Sequence, residues 1–335
     1  MSFNFLLPQK VIFGAGSVVL TGEEAKRLGG RKVLIVTSPG MLNRPHLAHV
    51  ADALKKHNVR SGVFSDITPE PPIEDVYRCI SFVRKKGADL LIGLGGGSVM
   101  DVAKKAAADL SLPKIMLPTT AGTGSEVTYE SVLKVDGKKR AFVDAGLIAD
   151  VAIVDPNLCQ PMSKRLTINS GMDALAHAVE CYESKRSNLI AKTLAFDAYN
   201  LIKDKLLKAV RGDVQSMVNL SLGSLMGGMA FGNSGTTLGH ALSYPLSNRG
   251  IPHGEAVAMM LPYALEFNGA DPALIKKLRK LVRTVEFRWD PSWDVNQMAA
   301  EVMEDKRHLG NNPVEVTFKD VLGIFEKIKK ESLRQ

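Results

Sequence analysis

Asp173 and His177 stand four residues apart in Gly171-Met172-Asp173-Ala174-Leu175-Ala176-His177-Ala178-Val179-Glu180. That spacing puts a carboxylate and an imidazole on one face of a helix. Two more histidines lie in Gly239-His240-Ala241-Leu242-Ser243-Tyr244-Pro245-Leu246 and Ile251-Pro252-His253-Gly254-Glu255, each beside turn residues. One carboxylate and three neutral imidazoles can surround a divalent first-row cation. The cation would keep a single net positive charge and act as a Lewis acid on an alcohol or carbonyl oxygen. Spacing alone leaves the choice open, because each of the seven histidines could equally be a core or surface residue.

Two loops have the chemistry of phosphate and ribose recognition. Gly93-Leu94-Gly95-Gly96-Gly97-Ser98-Val99-Met100-Asp101 falls between a strand-like run and a helical pattern. Glycines there admit close backbone approach, and a helix N-terminus offers free N–H groups to an anion. The order G-x-G-x-x-S is one residue off the dinucleotide fingerprint, with Ser98 where the third glycine would stand. Pro118-Thr119-Thr120-Ala121-Gly122-Thr123-Gly124-Ser125-Glu126-Val127-Thr128 adds hydroxyls that can bond ribose or phosphate oxygens. Either loop taken singly could be a plain turn; together they fit a dinucleotide along the carboxyl ends of successive strands.

The elements that must position these groups read as α/β and then α. Lys32–Thr37, Val63–Ser65, Ala88–Leu94 and Lys114–Pro118 are strand-like, separated by helical spacing over residues 47–57, 73–86 and 99–110. Such alternation implies a parallel sheet covered by helices. Beyond Asp155-Pro156 the Ala-, Leu- and Met-rich segments 170–184, 188–210, 214–232, 254–268, 272–284, 295–307 and 317–333 predict helices almost alone. The expected division is an N-terminal α/β dinucleotide-binding domain over residues 1–158 and an all-helical metal and substrate domain over 159–335.

The bulk composition excludes other classes. The chain has 335 residues, 45% hydrophobic and 23% charged, which suits two packed cores rather than disorder. The net charge of +8 is spread over runs such as Lys276-Lys277-Leu278-Arg279-Lys280, the pattern of solvated helix faces. No aromatic-interleaved basic stripe or zinc-finger spacing points to nucleic acid, and no run of about 18 apolar residues points to a membrane span. Three cysteines without paired spacing fit a reducing, cytoplasmic compartment.

Taken in order, these blocks resemble the iron-containing (group III) alcohol dehydrogenase family. The match runs from Phe13-Gly14-Ala15-Gly16-Ser17 through Gly95-Gly96-Gly97-Ser98 with Asp101 and Lys104 to Pro118–Thr128. It continues through Asp155-Pro156, Gly171–Glu180 and the two histidine segments, over roughly residues 10 to 268. The resemblance implies a dehydroquinate synthase-like architecture with the active site in the cleft between domains. It implies Asp173, His177, His240 and His253 as ligands of Fe(2+), with Zn(2+) as a possible substitute.

For the dinucleotide it implies Gly95, Gly96, Gly97 and Ser98 with Asp101 around the pyrophosphate, and Thr119, Thr120, Thr123 and Thr128 in the cofactor block. Lys139 falls at, or one residue from, a lysine near the nicotinamide ribose. The reaction implied is hydride exchange between a small alcohol or aldehyde and NAD(P), with neither nucleic acid nor membrane as partner and a homodimer as the assembly to test. Alternatives are a glycerol, polyol or glycerol-phosphate dehydrogenase of the same fold, or a non-catalytic dinucleotide or metal sensor.

Three departures from the family bear on the site. Tyr244 stands where relatives often have a second histidine, four residues after His240, and is expected to shape the pocket. Ser38 follows the strand Lys32–Thr37 where NAD-preferring members often have Asp, which favours NADP(H). Only 67 residues follow Asn268, so the pocket is expected to be open or differently walled.

Overall fold

A computed structural model describes residues 2–283, 285 and 289–332 of the chain. The first half contains β1 (Lys10–Phe13), α1 (Thr21–Arg27), β2 (Lys32–Val36), α2 (Pro45–Lys56), β3 (Arg60–Phe64), α3 (Ile73–Lys86), β4 (Leu90–Gly95), α4 (Gly97–Asp109), β5 (Lys114–Pro118), β6 (Glu130–Val135), β7 (Lys138–Val143) and β8 (Val151–Val154). Six of these strands form one parallel sheet in the order β1-β8-β5-β4-β2-β3. β2, β4, β5 and β8 are buried almost throughout, as expected of apolar strands covered by helices on both faces.

The order of connection reverses between β2 and β4. The chain leaves β2 for the edge strand β3 and then returns to β4 on the other side of β2. In an open α/β sheet, that reversal opens a crevice at the carboxyl ends of the two strands. Ser38 follows β2 and Gly96 follows β4, so both expected cofactor loops emerge at this crevice.

From Pro156 onward the described chain is helical: α5 (Pro156–Cys159), α6 (Lys164–Glu183), α7 (Leu189–Ile202), α8 (Leu206–Val210), α9 (Val214–Gly232), α10 (Leu238–Asn248), α11 (His253–Phe267), α12 (Pro272–Val282), α13 (Val295–Glu304), α14 (Lys306–Asn311) and α15 (Phe318–Ser332). Every residue of α6 from Thr167 to Cys181 is buried, because α7, α9 and α11 all pack around it. Ser163 opens this helix by accepting the Leu166 N–H through its side chain.

Several expectations need correction. His240 is not beside a turn but in the first turn of α10, which continues past Pro245; His253 is the first residue of α11. The expected helix 188–210 breaks between Ile202 and Leu206, and 295–307 breaks at Asp305. Residues 284 and 333, the ends of two expected helices, lie outside the described residues. β6 and β7 form an unexpected antiparallel hairpin closed by Asp136-Gly137, both at positive φ (53° and 75°), the geometry of a type I′ turn.

The family-like blocks at the two ends of the α/β half bind each other. Phe13 pairs with Val154 across β1 and β8. Asp155 then accepts N–H bonds from Gly16 (3.0 Å), Val18 (3.1 Å) and Asn157 (3.0 Å), so Asp155-Pro156 caps α5 while locking the N-terminal turn. These motifs build the frame.

α9 meets the Thr-rich loop through glycines. A Cβ on Gly124, which has φ +60°, would stand 2.4 Å from the Gly228 Cα. Gly124→Ala therefore combines left-handed strain with a backbone collision, whereas Gly137→Ala brings turn strain alone, with nothing within 4 Å. Thermal unfolding should show Gly124→Ala losing at least about 2 kcal/mol more than Gly137→Ala. Equal losses would mean that α9 does not depend on this close approach.

Candidate active site: a histidine–carboxylate cluster beside a dinucleotide-sized cleft

Three imidazoles converge on one oxygen. The Nε2 atoms of His177, His240 and His253 lie 3.8, 3.7 and 3.8 Å from Asp173 Oδ1. Donor atoms of Asp173, His240 and His253 all fall within 4.8 Å of one another; His177 joins this tighter trio through the shared carboxylate oxygen. These separations are too long for hydrogen bonds. Ligand atoms about 2.0–2.2 Å from a tetrahedral cation stand roughly 3.4 Å apart, so the cluster has the span of a coordination shell.

The polar bookkeeping agrees with that span. Asp173 Oδ1 and His240 Nε2 are buried without a hydrogen-bond partner, an arrangement that costs free energy unless something else fills their lone pairs. The rings are also turned for the purpose. Gly122 O lies 3.2 Å from His177 Nδ1, and Glu180 Oε2 takes His240 Nδ1–H in a short hydrogen bond. Each contact puts a proton on Nδ1 and leaves Nε2 as the donor lone pair.

The charges follow burial and proximity. Burial alone would raise Asp173, but the three imidazoles hold it well below the usual carboxylate range. Burial pushes His253 down to about 3, with help from the Lys139 charge, and also lowers His177. His240 goes the other way: burial would lower it, yet the Glu180 carboxylate raises it.

Glu180 joins the site although it is not among the sequence-predicted site residues. It is fully buried on α6, seven residues after Asp173 and on the same face, so the signal was an extension of the helical spacing already noticed. Its Oε1 also accepts from Gly239 N (2.7 Å), Thr237 Oγ1 (2.8 Å) and Thr237 N (3.2 Å). One carboxylate thus fixes the His240 ring and caps the helix that carries it.

A cavity of about 860 Å³ runs from this cluster to the β2/β4 crevice. Ser38, Gly96, Gly97, Ser98, Thr120, Thr123, Thr128, Lys139 and Tyr244 all line it, together with Asp173, His177, His240 and His253. The N-terminus of α4 at Gly97 faces it, a ready anion site. Thr120 Oγ1 is buried there without a partner.

Two expected cofactor residues stand behind the wall: Gly95 ends β4 and Thr119 follows β5, and neither lines the cavity. Asp101 does line it, but its carboxylate is already occupied by Ser125 Oγ (2.6 Å) and Val132 N (2.9 Å). With the buried Lys104 ammonium, which donates to Ser125 O (2.9 Å), it ties the Thr-rich block and the β6–β7 hairpin to α4. Asp101 thus braces the loops around the cavity that it also lines.

Lys139 reaches the cavity from β7. Its Nζ and that of Lys134 each lie 2.8 Å from an oxygen of Glu70, and Lys139 stands 6.0 Å from the Tyr244 ring. Burial lowers the Lys139 ammonium against the pull of Glu70. Phe231 stacks on His177 with centroids 4.0 Å apart and closes the apolar side.

Four inward-facing donor groups at one end of a cleft with an anion-ready helix N-terminus are the arrangement expected of a metal-dependent, dinucleotide-linked oxidoreductase. Comparison with known proteins agrees. The profile described as Iron-containing alcohol dehydrogenase matches residues 8–156, and that of the Fe-containing alcohol dehydrogenase family, C-terminal, matches residues 167–290. Long-chain-alcohol dehydrogenase 1 of Geobacillus thermodenitrificans is 34% identical, over 93% of each chain.

Among solved structures, alcohol dehydrogenase from Oenococcus oeni superposes with a TM-score of 0.92 at 29% identity, over 98% of this chain and 100% of that one. Sulfoacetaldehyde reductase from Bifidobacterium kashiwanohense, solved in complex with NAD+, gives 0.90 at 30% identity, over 98% and 99%. The chain belongs to the iron-containing alcohol dehydrogenase family. It is an oxidoreductase that interconverts alcohols and aldehydes with a metal ion and NAD(P).

Glu180→Gln keeps the shape and removes the charge that orients His240. Metal affinity, read by competition with a chromophoric chelator, should fall by about 10- to 100-fold. An unchanged affinity would show that the ring is held without Glu180.

Proposed function

We propose that Asp173, His177, His240 and His253 hold one divalent cation, iron(II) with zinc as a substitute, and that the dinucleotide lies along the cavity from Ser38 to His177. The division at residues 158/159 belongs to the same reading: the α/β half supplies the cofactor cleft and the helical half the metal. The observation that carries it is the buried, unpartnered Asp173 Oδ1 facing three Nε2 atoms at 3.7–3.8 Å.

When bound, the cation polarises the alcohol or carbonyl oxygen and the nicotinamide exchanges hydride with its carbon. The chain's own residues set the conditions for that exchange. Glu180 and Gly122 O hold two ligand rings in the required tautomer. Phe231 and Tyr244 give the reaction end apolar walls, and a less polar surround strengthens the electrostatic interactions there. Burial raises the Tyr244 phenol above its already high ordinary value, so it is a poor proton relay at neutral pH. The alcohol proton would therefore leave through water or the ribose hydroxyls of a bound dinucleotide rather than through the phenol. Three buried free thiols fit a reducing, cytoplasmic setting, and a homodimer is the assembly to be checked by sizing in solution.

Asp173→Ala and His253→Ala should each lose most bound metal and at least a hundredfold in turnover over a panel of alcohols and aldehydes. Full occupancy with unchanged activity in both would sink the ligand assignment. Lack of turnover by metal-loaded wild type across the panel would sink the reaction.

We also propose that NADP(H) is accepted at least as well as NAD(H). Ser38 lines the cavity at the end of β2, with extended backbone (φ −96°, ψ 158°) and no capping bond from its side chain. A carboxylate there would bond the ribose hydroxyls and repel a 2′-phosphate; a hydroxyl can donate to that phosphate. Ser38→Asp should weaken NADP(H) selectively in kcat/KM. A strong wild-type preference for NAD(H) that Ser38→Asp leaves unchanged would show this reading of Ser38 to be wrong.

A further inference from the structure

His308 comes to the reaction end of the cavity from outside the stretch that either family profile matches, which ends at residue 290. It sits in α14, and its ring stacks 6.1 Å from that of His240 and stands edge-on to Tyr244 at 5.4 Å. The residue is buried, and its orientation is fixed: Nδ1 lies 2.5 Å from Asp305 Oδ2, while Asp305 Oδ1 accepts the His308 N–H at 3.2 Å. Asp305 is therefore both the cap of α14 and the group that sets the tautomer of the ring. With the proton on Nδ1, Nε2 is an acceptor, taken by no group among the described residues, on a ring that lines the cavity.

Such an acceptor is wasted on an unsubstituted alkyl chain, for which Phe231 and the Tyr244 ring already provide apolar walls. We propose that His308 is a specificity-determining residue, accepting a hydrogen bond from a second hydroxyl of the substrate. Because its ring is the neighbour of the His240 ring, that hydroxyl lies one or two carbons from the reacting carbon. The substrate class is thus a short diol, or the hydroxyaldehyde it interconverts with. Discrimination arises because the analogue lacking the hydroxyl fills the cavity beside this acceptor without bonding to it. The inference rests on the alcohol–aldehyde reading above and deepens it.

The test compares 1,2-butanediol with 1-butanol, which share a carbon chain and differ by the one hydroxyl, using metal-loaded protein with NAD(P). Wild type should favour the diol at least tenfold in kcat/KM. The same diol should bind more tightly than 1-butanol when titrated calorimetrically into the protein–NAD(P)H complex. In His308→Leu the diol-to-alcohol ratio should fall at least tenfold in both measurements. His308→Gln, whose amide oxygen can still accept, should recover part of it and also serves if the leucine variant fails to fold. Equal use of both alcohols by wild type, or a ratio unmoved by both substitutions, overturns the assignment while leaving the oxidoreductase reading intact. Turnover of neither alcohol nor of the corresponding aldehydes overturns both.

Discussion

Asp173 Oδ1 has no hydrogen-bond partner among the described residues, although it is buried and faces three imidazole nitrogens. Four lone-pair donors pointed at one volume repel one another unless a cation or protons stand between them, so the arrangement persists only if the surrounding helices hold it. Most of the helical half is organised around that requirement. α6 carries Asp173, His177 and Glu180 on one face, and α10 and α11 each present one histidine from their first turn. Glu180 ties two of the three helices together, since it accepts from α6's side the N–H groups that open α10. The apolar cores on either side, around Met172 and Leu261 and around Leu242 and Met260, keep the spacing rigid.

The α/β half answers a different constraint: a long anionic ligand must end at the cluster. A parallel sheet with a reversal between β2 and β4 places loop backbone, helix N-terminus and small hydroxyl residues along one crevice. Much of the polar chemistry near that crevice is structural. Asp101, Lys104 and Ser125 bond one another and the β6–β7 hairpin, which keeps the Thr-rich block open for a ligand. Charges close to a site are often there to shape the backbone that does the binding.

What the sequence made legible follows from periodicity. Asp173 and His177 could be paired because an unbroken helix turns spacing into geometry, and the loop residues because glycines mark strand ends. His240 was placed beside a turn because Pro245 and the flanking glycines disguise α10; its helix survives through burial and packing against α11. Glu180 was readable as the next residue on the same face, and Asp136-Gly137 was a hairpin signal overlooked among charged neighbours. Asp305 and His308 could not have been found this way. A histidine 55 residues beyond the last of the four proposed ligands reaches the site through the packing of α13 and α14 on α10, backed by α15 on α13.

That contrast separates two kinds of information in the chain. The frame that binds metal and dinucleotide is built from motifs local in sequence, and the family profiles cover residues 8–156 and 167–290. The wall facing the substrate is assembled from distant pieces: Phe231 at the end of α9, Tyr244 in α10, Lys139 on a hairpin and His308 in α14. A constraint as strict as a coordination shell fixes residue types at fixed spacings, whereas a wall can be rebuilt from whatever segment packs against it. Here the segment after α12 folds back onto α10 through α13 and α14. It brings in an oriented imidazole beside Tyr244, the position where relatives often carry their second histidine, so the pocket is differently walled. The reaction is set by the frame, and the choice among alcohols is set by the last helices of the chain.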